Sequence, residues 1–384
     1  MTQSATGHTS LKDSRKAGHE LGERIRADLG GEPPDALIVF SSARHDFAKL
    51  LRAIVAASGA KALVGSSSAG EFTANSYDEG AVSAVGLRSD TMRFHGAIGR
   101  GLRADRSSAA QQITANFEGL KSNDLPHRAA LILTDALAGH ADDFVEKLTT
   151  LTAGRYQLFG GGAGDDAKFT RTHVFFNEEA VPDAAVALEI LSEKPIGIGV
   201  RHSWEPATPP FRVTESDGMR LISLNNVPAA DVFAEFAESS GQIFHRQDPI
   251  PFFLHNTIGV ATPAGYRLRV PLAVNNDGSI QCAADVATGS LVHIMSPAGG
   301  SAMAATVSAL EQIQNEEPEV ALFFDCVATR LRMGREFGFE LKAVKEALRG
   351  AQYAGCNTYG QIARAEGQFS GFHNCTAVVA VVPK

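Results

Sequence analysis

The feature that most constrains this chain is a unit that occurs three times. Each copy is an apolar run rich in strand formers, a stretch with apolar residues at helical spacing, and a second apolar run ending in a glycine-rich turn. In the first copy these are residues 35–42 (DALIVFSS), 45–58 (HDFAKLLRAIVAAS) and 62–72, which closes in LVGSSSAGEF. In the second they are 130–135 (ALILTD), 141–151 (ADDFVEKLTTL) and 157–165 (QLFGGGAGD). In the third they are 319–326 (EVALFFDC), 336–348 (EFGFELKAVKEAL) and 352–361 (QYAGCNTYGQ). A period near 3.6 marks the middle segment of each copy and a short apolar run the flanking ones. Internal repetition of this kind points to repeated structural units.

The turns align as Gly65-Ser-Ser-Ser-Ala-Gly70-Glu71 against Gly355-Cys-Asn-Thr-Tyr-Gly360-Gln361, with Gly161-Gly-Ala-Gly164-Asp165 two residues shorter. Gly65 and Gly70 have the spacing of a phosphate-cradling loop. Such a loop follows its second glycine with Lys and then Ser/Thr, for the phosphates and Mg²⁺. Glu71 and Phe72 stand there instead, and a carboxylate repels phosphate. Two readings account for the turns. Glycine permits tight turns with positive φ, which explains the glycines alone. A ligand-facing loop also explains the hydrogen-bonding side chain after each turn. The second reading makes Gly65, Ser66, Ser67, Gly70, Glu71, Gly161, Gly162, Asp165, Tyr359 and Gly360 candidate ligand-binding residues.

Between the copies lie strand pairs and long meanders, including a hairpin turn at Asn276-Asp277-Gly278-Ser279. The expected fold is therefore α/β with α+β character: mixed sheets built from repeated β-α-β-glycine-turn units, in two lobes. Residues 1–33 read as an N-terminal arm or helix. The texture changes near Glu193-Lys194-Pro195, which divides the rest into 34–194 and 195–384. A net charge of −8 argues against a nucleic-acid partner, which requires clustered Lys and Arg. Four scattered cysteines provide neither a disulfide framework nor a CxxC zinc site. The N-terminus lacks the apolar core of a signal peptide, and no apolar run has the length of a membrane span. A cytoplasmic protein is expected.

Taken in order, LIVFSS, LVGSSSAGEF, EGAVSAVGL, LFGGGAGDDAKFTRTHVFFNEEAV, DGSIQCAADVATGS, YAGCNTYGQIA and GFHNCTAVVAVV resemble the FIST family, a bacterial sensory domain with N-type and C-type regions. They cover the chain from about residue 35 to its end. Two departures stand out. Gln361 replaces the family's usual Glu, and DCVATRLRMG replaces its Cys-x-Gly-Arg run. The resemblance implies an N-type domain at 34–194, a C-type domain at 195–384, and a sensor that binds a small ligand. It further implies regulation of a separate signalling enzyme, such as a histidine kinase or a cyclic-di-GMP enzyme. Without an output domain on this chain, the stand-alone NosP-like type implies haem b and nitric oxide as ligands. A sensor of an amino acid or similar organic molecule, without haem, is the alternative, and a homodimer is compatible with either.

A haem iron requires an axial imidazole or thiolate. Of the 12 histidines, His373 is the candidate, because it lies between the third glycine turn and the last strand and precedes Asn374, whose amide can orient the ring. Arg212 is a candidate partner for a carboxylate or propionate. An enzyme is the remaining class: Cys326, preceded by Asp325, with His373 downstream, has the composition of a thiolate–imidazole pair. No GxSxG or HExxH is present, and a non-enzymatic protein is expected.

Overall fold

In the computed structural model, which describes residues 1–365 and 371–384, the three sequence units become three six-stranded sheets of one strand order. The first unit comprises β1 (Thr2–Thr9), α1 (Ser14–Asp28), β2 (Ala36–Ser42), α2 (Phe47–Ser58), β3 (Leu63–Ser68), a hairpin of β4 (Glu71–Thr73) and β5 (Tyr77–Asp78), and β6 (Val82–Ser89). The second comprises β7 (Met92–Arg100), α3 (Arg106–Thr114), β8 (His127–Thr134), α4 (Ala141–Leu151), β9 (Gln157–Gly162), a hairpin of β10 (Val174–Phe176) and β11 (Glu179–Val181), and β12 (Ala184–Ser192).

The third unit opens with β13 (Gly197–Arg201) and is then interrupted by a long insertion. The insertion contains β14 (Trp204–Pro206), β15 (Phe211–Asp217), β16 (Arg220–Leu224), β17 (Val227–Pro228), α5 (Ala229–Ser239) and α6 (Ile250–Phe253). It continues with β18 (Thr257–Thr262), β19 (Gly265–Arg269), β20 (Pro271–Val274), β21 (Ile280–Cys282) and β22 (Leu291–Pro297). The unit resumes with α7 (Ser301–Gln312), β23 (Pro318–Cys326), α8 (Val327–Met333), α9 (Phe337–Ala347) and β24 (Gln352–Thr358). It closes with a hairpin of β25 (Gln361–Arg364) and β26 (Gly371–His373), and β27 (Ala377–Pro383).

The sheets read β1-β6-β2-β3, β7-β12-β8-β9 and β13-β27-β23-β24, each extended by a hairpin. The helical crossover makes the pairs β2–β3, β8–β9 and β23–β24 parallel; the other pairings on these paths are antiparallel. Each hairpin leaves the sheet of its own unit. β4–β5 pairs with β24, β10–β11 with β3, and β25–β26 with β9. The exchange is cyclic, so each chain segment that leads into a hairpin crosses from one sheet to the next.

Strand alternation sorts the side chains into two layers. Ile38 and Phe40 point to a core shared by the three sheets, with Leu131, Leu133, Leu322 and Phe324. Leu37 and Val39 point outward to α1 and α2, and Ala321 and Phe323 outward to α7 and α9. Residues buried on both faces explain why these strands are continuous apolar runs. The first 33 residues belong to the first unit: β1 pairs with β6 along its whole length and α1 packs on α2. The texture change at 193–195 falls between β12 and β13. The insertion has its own core of Phe233, Phe252, Phe253 and Ile294 and forms a lobe apart from the three sheets, smaller than the expected division at 195–384. Among the described residues, no helix is long and apolar enough to cross a membrane.

One glycine in each unit serves the same purpose. A Cβ on Gly65, Gly160 or Gly355 would lie 2.0, 2.1 or 1.8 Å from the carbonyl oxygen of Val39, Ile132 or Phe323 on the neighbouring parallel strand. This equivalence corrects the sequence alignment of the middle turn. Gly160, not Gly161, is the counterpart of Gly65, and the hairpin position held by Glu71 and Gln361 falls to Val174, by the pairings Glu71–Cys356, Gln361–Gly161 and Val174–Ser66. The middle crossing is therefore longer than the others, and Asp165 lies within it.

Candidate functional site

The three crossing segments meet and bond to one another through the backbone. Gly164 N–H donates to Ser67 O (2.9 Å), Ala69 N–H to Asn357 O (2.9 Å) and Asn357 N–H to Gly70 O (2.8 Å). Gly162 N–H donates to Gly360 O and Tyr359 N–H returns to Gly162 O, both at 2.9 Å. A Cβ on Gly161 or Gly162 would strike Gly360 O or Tyr359 O. Most polar side chains of this junction are used internally. Ser67 Oγ accepts from His173 N–H (2.9 Å). Glu71 is buried and accepts from Ser68 Oγ (2.5 Å) and Ala81 N–H (3.1 Å). Burial raises its carboxyl to about 8. Asp165 accepts from the N–H groups of Phe169, Thr170 and Arg171 and from the Tyr359 hydroxyl. Burial works against its charge, but the bonds from Tyr359, Arg171 and Thr170 hold it below the usual carboxylate range. It thereby fixes a crossing in which Asp166, Ala167 and Phe169 have φ of 56, 61 and 54°.

A cavity of about 280 Å³ opens beside this junction, on the third turn. Its walls come from the segment after β8, the start of α8, the third turn with β26, and the insertion. Leu137, Phe253, Leu272, Val327 and Phe372 make it largely apolar, and the Tyr359 ring closes one side. Phe169 stacks on that ring at 4.3 Å and 14°. Gly360, at φ 88°, leaves room for Phe372, whose ring a Cβ would meet at 2.0 Å. The polar lining includes Asn374, Gln281, Asp142, and Asp285 with His140 at 3.5 Å. Asp285 Oδ1 is buried and accepts no hydrogen bond.

Arg269, at the end of β19, holds the insertion against the repeats. It is 3% exposed. Nη2 donates to Asp142 Oδ2 (2.8 Å), Nη1 to Phe372 O (3.2 Å), and Nε to Asp285 O (2.9 Å). One guanidinium thus ties together α4, β26 and the insertion, and its planar fork suits that task.

Two cysteines, Cys282 and Cys326, belong to the wall. Cys326, the last residue of β23, lines the cavity. β23 runs antiparallel to β27, pairing Phe324 with Val378, so Cys326 leaves the sheet beside Cys375. The Cys375 S–H donates to the Cys326 sulfur, and the N–H groups of Cys375 and Ala328 add to it. Together they outweigh burial and bring the Cys326 thiol down to about 6. Cys375 moves the opposite way, well above the usual thiol value, because it is the donor and is buried.

Of the residues singled out from the sequence, Tyr359, Gly360 and Asn374 line the cavity. Gly65, Ser66, Ser67, Gly70, Glu71, Gly161, Gly162 and Asp165 stand behind it in the junction, off the cavity wall. Arg212 is exposed on β15, its backbone N–H bonded to Asn225 Oδ1 (2.8 Å). His373 is buried on β26 and is not part of the wall, which takes its neighbours Phe372 and Asn374 instead. Burial, with Arg267 and Arg269 nearby, pushes its imidazole down to about 3. The haem that the resemblance implies does not fit these residues: the His373 ring does not open on the cavity, and about 280 Å³ is at the lower end for small-molecule pockets. Among the described residues, no group of three or more His, Cys, Asp and Glu is placed to hold a metal.

The sequence reading missed the segment from Leu137 to Asp142, the start of α8, and the insertion wall. The one local signal was the position of ALAGHAD and DCVATRL, each directly after a core strand, where α/β sheets present their ligand-facing loops.

Comparison with known proteins gives two family matches, the FIST N domain over residues 35–227 and the FIST C domain over residues 229–364. No curated protein matches. Among solved structures, T. maritima PurL complexed with FGAR is 10% identical with a TM-score of 0.23, covering 99% of this chain and 72% of that one. The same enzyme complexed with AMPPCP is 12% identical with a TM-score of 0.22 and the same coverage.

Proposed function

Because the chain belongs to the FIST family, N and C domains together, we propose that it is a sensory protein whose ligand occupies the cavity between the third turn and the insertion. FIST domains are sensory domains for small ligands. The ligand proposed here is a small amphipathic organic molecule, an amine or an amino acid with an apolar side chain, without haem. The observation that carries this reading is the polar corner of an otherwise apolar cavity, where Asp142 and Asp285 stand with Gln281 and Asn374. A carboxylate there pairs with an ammonium or amide N–H on a ligand whose apolar part fills the rest. Binding also fills the space between two lobes that meet at Arg269, which couples occupancy to lobe position. The output is regulation of a separate signalling enzyme.

The test is thermal unfolding and calorimetry against a panel of apolar amino acids and amines, since a ligand that binds only the folded chain raises Tm. Binding is expected for members of the panel, with affinity about tenfold weaker in Asp285→Asn. A panel that shifts neither protein, or equal affinity in both, contradicts the assignment. A Soret band on haem addition that disappears in His373→Ala restores the haem reading.

A further inference from the structure

We propose that the cavity recognises a methylated ammonium headgroup, held by aromatic rings beside a carboxylate. This rests on reading the cavity as the ligand site and specifies the headgroup it takes. Four aromatic rings line the wall: Phe169 from the crossing after β9, Phe253 from α6, Tyr359 from the third turn and Phe372 from β26. The repeats supply three of them and the insertion the fourth, so the set is complete only where the insertion docks. The face of an aromatic ring is negative and its edge positive. A cation near such faces is attracted to them, most strongly when it is out of water.

The charge of the wall has the matching sign. Asp142 and Asp285 belong to it, and among the described residues neither Lys nor Arg does. Arg267 and Arg269, which pair with Asp142, stand off the wall. The Tyr359 hydroxyl donates to the Asp165 carboxylate, which pushes electron density into the ring and makes its face more negative.

Methylation of the ligand follows from the acceptors. Asp142 Oδ2 accepts from Arg269 (2.8 Å) and its Oδ1 from Phe372 N–H (3.3 Å), and Asn374 Oδ1 accepts from Val270 N–H (3.5 Å). A primary ammonium has three N–H donors, and each one buried without an acceptor is costly. With these acceptors already engaged, the wall offers charge and ring faces more than hydrogen-bond sites. A methylated ammonium needs charge and apolar contact. A cavity of about 280 Å³ is small for a drug-sized molecule and suits such a headgroup on a short chain.

The experiment is titration calorimetry with choline, its unmethylated counterpart ethanolamine, and 3,3-dimethylbutan-1-ol, which has the shape of choline without its charge. Choline should bind about tenfold tighter than either. Phe169 is 47% exposed, so replacing it spares the core. Phe169→Leu should weaken choline about fivefold and leave ethanolamine within about twofold, whereas Phe169→Trp should hold choline at wild-type affinity or better. Thermal unfolding of each variant confirms that it is folded. Ethanolamine or the neutral alcohol binding as tightly as choline, or Phe169→Leu binding choline as the wild type does, overturns the proposal. Choline that fails to bind while an apolar amine of the panel binds overturns the headgroup assignment and leaves the ligand site standing. Binding by none of them overturns both.

Discussion

The first and third turns have the same length, the same pair of glycines and the same place at a sheet crossing, yet the third lines this cavity and the first does not. In the first, Arg330 donates to Ala69 O and Glu79, and a Cβ on Gly70 would lie 2.7 Å from its Nη1. That turn is plugged, and Ser68 and Glu71 bond within it. In the third, Tyr359 and Gly360 look out on space that the insertion encloses. The turn chemistry builds the crossing, and the insertion makes one crossing into a site. Glycine and polar residues at a turn therefore report a fold requirement first.

The largest effect should come from the glycines common to all three units. Gly355→Ala places a methyl 1.8 Å from Phe323 O, which forces two strands apart; a loss of about 4 kcal/mol or more is expected, enough to prevent folding. Gly65→Ala should cost as much, measured by denaturant unfolding. A tolerated Gly65→Ala beside a lethal Gly355→Ala would break the equivalence of the units.

Arg269→Leu comes next. It takes the closest cation from half-buried Asp142 and removes the guanidinium's bonds to Phe372 O and Asp285 O, at about 1 kcal/mol for each of the three bonds. Unlike the glycine changes, it should loosen only the insertion, so protease cleavage should appear within residues 202–300 while the repeat core stays intact. Cleavage spread over the whole chain would contradict the two-lobe account.

Glu71 distinguishes the turns by pH. Its folded carboxyl titrates at about 8 against an ordinary 4.5, so the folded chain holds a proton that the unfolded chain releases. Stability from this group is full below 4.5, falls as pH rises between those values, and is flat above about 8. Glu71→Gln should remove that fall, a relative gain on the order of 5 kcal/mol at high pH and little change at low pH. The third turn already has an amide, Gln361, bonded to Thr358 and Thr376. Gln361→Glu should introduce the same loss of stability with rising pH. Melting temperatures across pH check both.

The smallest effect belongs to Arg212→Ala. With Arg212 exposed and remote from the cavity, stability should move by less than about 0.5 kcal/mol and ligand affinity should stay within about twofold.

The repeats were legible because burial on both faces writes an apolar run for each central strand, and each crossing writes its glycines. The hairpin exchange was not, because pairing across sheets leaves no local pattern: β4 and β25 are short and look the same in either partner sheet. The middle turn was misaligned for a related reason. In Gly160-Gly161-Gly162 only the clash with Ile132 O identifies which glycine is the counterpart of Gly65. Of the site, Tyr359, Gly360 and Asn374 were legible as turn residues. Arg269 and Asp285 were not, since their importance arises from where the insertion docks, a contact between segments far apart in sequence; Cys326 stood out only as a partner for His373, which is not part of the cavity wall.

The central claim is that ligand binds at the third turn against the insertion, and the chain's methionines test it directly. Of its six methionines, Met219 lines the cavity, whereas Met92 lies in the shared core of the sheets and Met303 on the exposed side of α7. With methionine methyl groups labelled with ¹³C, titration with the tightest ligand from the thermal panel should shift the Met219 resonance and leave Met92 and Met303 in place. A saturating ligand that leaves Met219 unmoved would contradict the account.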